Sequence, residues 1–219
     1  MIIGLVGKKQ SGKTTAAEIS RKLGYIPLAF ADAIKKTTSK IFNIPLAVMN
    51  DPVAKESMQL SIELNDKSIK DFLWALSASY VPMHPDTITE AVAKYKGPDM
   101  VYTPRQLLQV LGTDLVRDCV DENYWLESLA SSIKPGGKYA IHDVRFQNEI
   151  EFIQKRFNGK VIVIERPGID NIDSHISEQF QPTNYDFKIN NNGSLVSFIN
   201  EVKTMFALAE FNNESSFKR

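Results

Sequence analysis

The chain has a single cysteine, Cys119, among 219 residues, so no internal disulfide can brace it. A lone thiol in such a chain reads as reduced and partly buried. No excess of either charge is present, since 26 Lys and Arg balance 26 Asp and Glu. That excludes a surface that is basic throughout and coats nucleic acid, but not a local basic cleft. No apolar run approaches the ~18 residues that a membrane-spanning helix needs. The N-terminus lacks a basic stretch followed by an apolar secretory segment. There is no internal repeat and no low-complexity segment. What is present is ordinary for a globular protein: 43% hydrophobic and 24% charged residues. The length suffices for one large domain, or one domain with an inserted lobe. These bounds predict a soluble cytoplasmic protein with neither a membrane nor a nucleic acid as partner.

Short apolar runs alternate with helical patterns. Strands are expected over residues 2–6, 25–30, 138–142, 161–165 and 185–189. Several are rich in β-branched residues. Helices are expected over about 13–23, 32–42, 66–80, 85–96, 103–112 with a continuation to 119, 122–133, 147–157 and 194–211. Thr103-Pro104 is a start signal, a capping hydroxyl followed by proline at the first helical position. The tail from Asn212 reads as polar and frayed. The alternation predicts a parallel sheet covered on both faces, an α/β architecture with three layers. Ligands of such sheets bind beyond the carboxyl ends of the strands. Gly7, Asp32, Asp143 and Arg166 all fall at or just past predicted strand ends. The stretch from Asn43 to Tyr102, punctuated by Pro82, Pro85, Gly97 and Pro98, reads as an inserted helical lobe.

The strongest local signal is Gly7-Lys8-Lys9-Gln10-Ser11-Gly12-Lys13-Thr14 between the first strand and the first helix. Two glycines five apart, then lysine and a hydroxyl residue, form a P-loop. Backbone amides of such a loop point at phosphate oxygens, and the helix start adds partial positive charge. Lys13 then reaches the β- and γ-phosphates of ATP, and Thr14 ligates Mg²⁺. Gly7, Lys9, Gln10, Ser11, Gly12 and Thr15 complete the predicted ATP cradle.

The loop alone does not name the reaction. No guanine-reading Asn-Lys-x-Asp segment is present, which speaks against a GTPase. The strand ending in His142-Asp143 carries one acid rather than the paired acids of many ATPases. Asp143 is a candidate Mg²⁺ ligand opposite Thr14. Arg145, two residues on, suits a phosphate with its forked guanidinium. Glu149 either orients Arg145 or simply occupies the first helical turn.

Several segments, in order, are similar to the phage-type deoxynucleoside monophosphate kinases of the P-loop nucleoside monophosphate kinase-like superfamily. They are the P-loop; Phe30 to Lys35; Asp51 with Lys55-Glu56; Thr103 to Gln109 with Leu111 to Asp114; Asp143 to Glu149; Glu165-Arg166-Pro167; Ser174 to Glu178; and Asn190 to Ser194. The segment from Thr103 to Asp114 is the most specific of them. About Ser57 to Met100 matches nothing in the pattern, so no role is carried onto it.

The resemblance implies transfer of the γ-phosphoryl group of ATP, with Mg²⁺, to a deoxynucleoside 5′-monophosphate. It implies a single P-loop kinase domain over 1–219, with a five-stranded parallel sheet. A helical acceptor-binding lobe would span about 43–133 and a short lid about 166–182. Lys13, Arg105, Arg145 and Arg166 would offset the repulsion of two anionic substrates. Asp32 would orient the acceptor or the metal, or cap its helix, and Lys35 would face the acceptor. Arg105 and Gln109 share a helical face, and with Gly112 and Thr113 would take the acceptor's phosphate and base. Trp125 would stack on the base or deoxyribose, unless it packs in the core. His175 and Glu178 would lock the lid, and Asn191, Asn192 and Gly193 would lie near the adenine or form a plain turn. The resemblance also implies a homodimer in a bacterial cytoplasm. Two other readings stand beside it: a P-loop kinase for another phosphorylated metabolite, such as a coenzyme A precursor, and a nucleotide-dependent binding module.

Overall fold

The structure is a computed structural model that describes residues 1–97, 100–168 and 181–216. The chain forms two compact units. Met1–Phe30 with Ile133–Arg219 make one, and Ala31–Ser132 make the other.

The first unit carries five parallel strands: β1 (Ile2–Val6), β2 (Ile26–Leu28), β3 (Tyr139–Val144), β4 (Lys160–Glu165) and β5 (Phe187–Asn190). Their order across the sheet is β2-β3-β1-β4-β5. All five residues of central β1 are buried, which explains why it reads as an unbroken apolar run rather than an alternating one. Ile3 and Leu5 face α1 (Lys13–Arg21) and the C-terminal helix, Leu195–Ser216. There they join Ala16, Ala17, Phe198, Val202 and Phe206 in one cluster. Gly4 faces the other way. A β-carbon there would stand 2.7 Å from Ile153 Cδ1, so the glycine lets the Phe152–Arg156 segment press against the sheet. Helix, sheet and helix give the three layers expected from the alternating pattern.

β2 is shorter than the sequence suggests. Pro27 offers no N–H, and the strand lies at the sheet edge, where proline is tolerated. β5 begins late because Asp186 clamps its entrance, accepting from Val161 N at 2.9 Å and from Lys160 Nζ at 3.0 Å. The C-terminal helix continues past Asn212 to Ser216, where a frayed tail was expected. Asn213 there accepts from Asn158 Nδ2 at 3.1 Å and lies 2.9 Å from Met1 Sδ, a long-range capture that local polarity does not reveal.

The second unit is helical: α2 (Ala31–Ile41), α3 (Leu46–Asn50), α4 (Ala54–Ser57), α5 (Asp66–Ser79), α6 (Pro85–Lys94), α7 (Pro104–Gln109) and α8 (Tyr124–Ala130). Capping boxes start α5, through Asn65 and Ser68, and α7, through Thr103 and Gln106. Phe72, Leu73, Leu76, Ile88, Leu107, Leu111 and Leu115 form fully buried packing within the unit. The expected continuation beyond Gly112 is present: α7 runs on as a wider, π-type helix over Val110–Val120. The glycine serves packing: a β-carbon at 112 would meet Ile34 Cδ1 of α2 at 2.9 Å. Among the described residues no helix is long and apolar enough to cross a membrane.

In the first unit, α9 (Gln147–Glu151) leads into the wide Phe152–Arg156 segment, and α10 is the Leu195–Ser216 helix. One polar knot ties α10 to the sheet. Tyr25 Oη and Lys138 Nζ each donate to Glu210 Oε1 at 2.8 Å. Burial opposes ionisation of Glu210, yet Lys138 and Tyr25 outweigh it and hold the carboxyl below its ordinary 4.5. A depressed carboxyl stabilises the fold above its unfolded value and loses that contribution as pH falls through the folded one. Glu210→Gln should therefore lower the urea midpoint at pH 7, and the gap from wild type should hold down to the ordinary 4.5 and narrow as pH falls below it. A gap independent of pH would show that the charge plays no part.

Candidate active site

The turn from β1 into α1 is shaped by two positions that cannot carry a side chain. A β-carbon on Gly7 would lie 2.4 Å from the Ile164 carbonyl oxygen of β4 and 2.6 Å from Ser11 Oγ. Gly12, the N-cap of α1, has φ of +114°, and a β-carbon there would meet Asn191 Nδ2 and Phe198 Cζ, each at 2.9 Å. Gln10 takes the left-handed conformation, with φ of 66°, and Ser11 N donates to Lys8 O at 3.1 Å to close the turn. α1 has no acidic residue in its first turn and no side-chain cap. Its first-turn amides and positive dipole end therefore suit an anion.

Lys13 is 8% exposed, and its ammonium donates to the carbonyls of Gly7 and, at 2.7 Å, Lys8. The predicted phosphate lysine thus lies folded against its own loop. Ser11 is buried, and its Oγ has no hydrogen-bond partner among the described residues. Asn191 Nδ2 donates to Ser11 O at 2.9 Å, fastening the turn after β5 to the phosphate loop. Lys9 is half-buried, while Gln10, Thr14 and Thr15 are exposed.

A cavity of about 470 Å³ opens beyond the carboxyl ends of β1, β3 and β4. Gly7, Lys8 and Ser11 line it together with Arg145, Arg166 and Asn192. Arg166 follows β4, as the strand-end argument requires, and its Nη1 lies 3.5 Å from Gln10 O, while Arg145 follows β3. Asp143 does not follow β3 but is its penultimate residue, and its Oδ1 accepts from Phe30 N at 2.8 Å. Glu149 is 4% exposed, and its Oε2 accepts from Arg145 N at 2.6 Å and Phe146 N at 3.1 Å. The carboxylate caps α9 and fixes the backbone that carries Arg145.

The remaining candidates lie in the helical unit. Arg105, on α7, stands with Nε 3.5 Å from Glu56 Oε1, and its side chain is 16% exposed. Lys35 Nζ donates to Asn50 Oδ1 at 3.0 Å, and Asp32 occupies the first turn of α2. Gln109 and Thr113 are half-buried on either side of the switch to wider turns. Trp125 is buried, meets Tyr124 edge to face at 5.3 Å, and donates from Nε1 to Gly112 O at 2.9 Å. Its packing is that of a core residue that supports the Gly112 segment. Ser174, His175, Ile176, Ser177 and Glu178, with most of the expected lid, lie outside the described residues.

The sequence profile of the deoxynucleotide monophosphate kinases matches residues 48–202. The chain belongs to the deoxynucleotide monophosphate kinase family. A protein of Acanthamoeba polyphaga mimivirus whose name places it among these kinases is 31% identical, over 92% of this chain and 94% of its own length. The deoxynucleotide monophosphate kinase of Enterobacteria phage T4 is 32% identical over 47% of this chain and 44% of its own. That of Escherichia phage RB69 is 28% identical over 57% and 52%.

For this kinase, sequence reasoning missed two supports of the phosphate loop: the Asn191 side chain on Ser11, and the Phe198 ring beside Gly12. The late Asn-Asn-Gly turn was visible, but its partner 180 residues away was not. Gly12→Ala combines an unfavourable φ with contacts at 2.9 Å. It should cost about 1–3 kcal/mol of stability and weaken nucleotide binding, read by urea unfolding and calorimetry. A variant as stable and as tight-binding as wild type would contradict the crowding.

Proposed function

We propose that the chain moves the γ-phosphoryl group of ATP onto the 5′-phosphate of a deoxynucleoside monophosphate, with the cavity beyond β1, β3 and β4 as the triphosphate site. An acceptor phosphate oxygen attacks the γ-phosphorus. The bond from that phosphorus to the β,γ-bridging oxygen breaks, and its electron pair leaves with ADP. Such transfer requires alignment and charge neutralisation rather than covalent participation by the protein. The observation that carries the reading is the gathering of Lys8, Arg145 and Arg166 around a glycine-shaped loop that holds Lys13.

Lys13 exchanges loop carbonyls for β- and γ-phosphate oxygens. Arg145 and Arg166 stabilise the charge on the migrating group, and Glu149 keeps the Arg145 backbone in place. Gly7, Lys9, Gln10, Ser11, Gly12 and Thr15 surround the triphosphate. Mg²⁺, when bound, neutralises phosphate charge, and the Thr14 hydroxyl and Asp143 carboxylate are the hard oxygen donors that suit it. In the helical acceptor lobe, about 43–133 with Asp32 and Lys35 before it, Arg105 and Lys35 take the acceptor phosphate. Gln109 and Thr113 read its base, and Asp32 orients its sugar side. Gly112 and Trp125 shape the wall behind them. Residues 166–182 form the lid that excludes water. The same reading includes the homodimer and the cytoplasmic setting that the resemblance implies.

Lys13→Ala should lower kcat by about 100-fold or more, the scale for removing one charge-stabilising donor, with the fold retained by circular dichroism. A folded variant with wild-type turnover would remove Lys13 from the site. Arg105→Ala should lower kcat/KM for the acceptor by about tenfold to 100-fold, as for loss of a charge-assisted hydrogen bond, while the KM for ATP stays the same. Equal effects on both substrates would separate this helix from acceptor binding.

A further inference from the structure

The phosphate loop carries three lysines. Lys9 and Lys13 belong to the triphosphate site proposed above, whereas Lys8 has no task there. The structure separates the three. Lys13 is folded onto the carbonyls of Gly7 and Lys8. Lys9 is not among the described residues that line the cavity. Lys8 does line it, is half-buried, and its ammonium makes no hydrogen bond or ion pair among the described residues.

The sheet explains this placement. β1 lies between β3 and β4, with Val6 in register with Val144 on one side and Val163 on the other. Neighbouring strands are about 4.8 Å apart. Arg145 is the first residue past β3, Arg166 is the first past β4, and Lys8 is the second past β1. Three adjacent strands thus each deliver one cation to one cavity, and Lys8 leaves from the middle strand. Glu165 is the one acidic side chain among the described lining residues, and it already pairs with Lys188 Nζ at 2.8 Å. In the same turn as Lys8, the buried Ser11 hydroxyl is without a partner among the described residues. Like charges held this close favour an anion between them.

We propose that Lys8 is a further catalytic residue, its ammonium bonding an equatorial oxygen of the migrating phosphoryl group between Arg145 and Arg166. This rests on the kinase reading above. As the acceptor oxygen bonds to the γ-phosphorus, the bond to the β,γ-bridging oxygen breaks and its electron pair leaves with ADP. The charge of the group in transit is spread over its three equatorial oxygens, and three strands supply three cations to meet it. Lys8 stays protonated and moves no proton. The loop amides and Lys13 hold ATP, so the contribution of Lys8 falls on the transfer and is read in kcat.

Two substitutions separate charge from shape. Lys8→Met keeps an unbranched apolar stem without the charge, and Lys8→Arg keeps a charge. For each, kcat with the preferred deoxynucleoside monophosphate, the Kd for Mg-ATP by calorimetry, and the fold by circular dichroism are measured. Lys8→Met should lower kcat by about 10- to 100-fold, at or below the scale of one buried charge-stabilising donor because water partly screens a half-buried ammonium. Its Kd for Mg-ATP should stay as in wild type, and Lys8→Arg should recover at least part of the rate. Wild-type kcat in folded Lys8→Met would remove Lys8 from the site. A loss carried by Kd alone, or one as large in Lys8→Arg as in Lys8→Met, would mark Lys8 as a binding or structural residue. These results overturn the inference and leave the kinase reading intact. If Lys8→Met does not fold, Lys8→Gln takes its place with the same outcomes. If wild type phosphorylates no deoxynucleoside monophosphate, the kinase reading itself fails, and this inference with it.

Discussion

The absence of a β-carbon at Gly7 and Gly12 is the constraint on which the rest of the nucleotide unit depends. Gly7 lets the loop pass against the Ile164 carbonyl of β4, and Gly12 lets it pass under Asn191 and Phe198. Those contacts join three separate parts of the chain: the turn after β1, the end of β4, and the turn from β5 into α10. The Asn191 bond to Ser11 O then holds the loop at a fixed curvature. The carbonyls of Gly7 and Lys8 are left to receive the Lys13 ammonium. A loop with side chains at those two glycines would have to move away from the sheet, and the cavity would lose one wall.

Charge supplies the second layer of the account. The chain is neutral overall, yet Lys8, Arg145 and Arg166 meet at the cavity where the strands end. Carboxylates near them act mainly as positioning groups. Glu149 accepts from two backbone amides next to Arg145, Asp143 holds the Phe30 amide, and in the helical unit Glu56 lies against Arg105. Each keeps a loop or a guanidinium oriented at little cost to the positive potential that an anionic substrate meets. Where two polyanions must react, such preorganisation matters more than any single strong contact.

Much of this was legible in the sequence because it rests on local rules. Central β1 shows its two-sided burial as an unbroken apolar run, and Thr103-Pro104 announces α7 through its capping chemistry. Gly7 and Gly12 announce the loop by spacing alone. What escaped depends on distant partners. Asp186 delays the start of β5, Asn213 extends α10, and Asn191 reaches Ser11. The packing of Gly112 against Ile34 also had no local signal. The bond from the Trp125 indole N–H to Gly112 O likewise has no local signal.

The central claim is direct transfer of a phosphoryl group between two nucleotides, and following the γ-phosphate itself tests it most directly. ATP labelled at that position would be incubated with Mg²⁺ and each deoxynucleoside monophosphate in turn, and the products separated. The account predicts label in the β-position of the corresponding deoxynucleoside diphosphate, formed only when an acceptor is present. Label released solely as inorganic phosphate, at a rate indifferent to every acceptor, would contradict it.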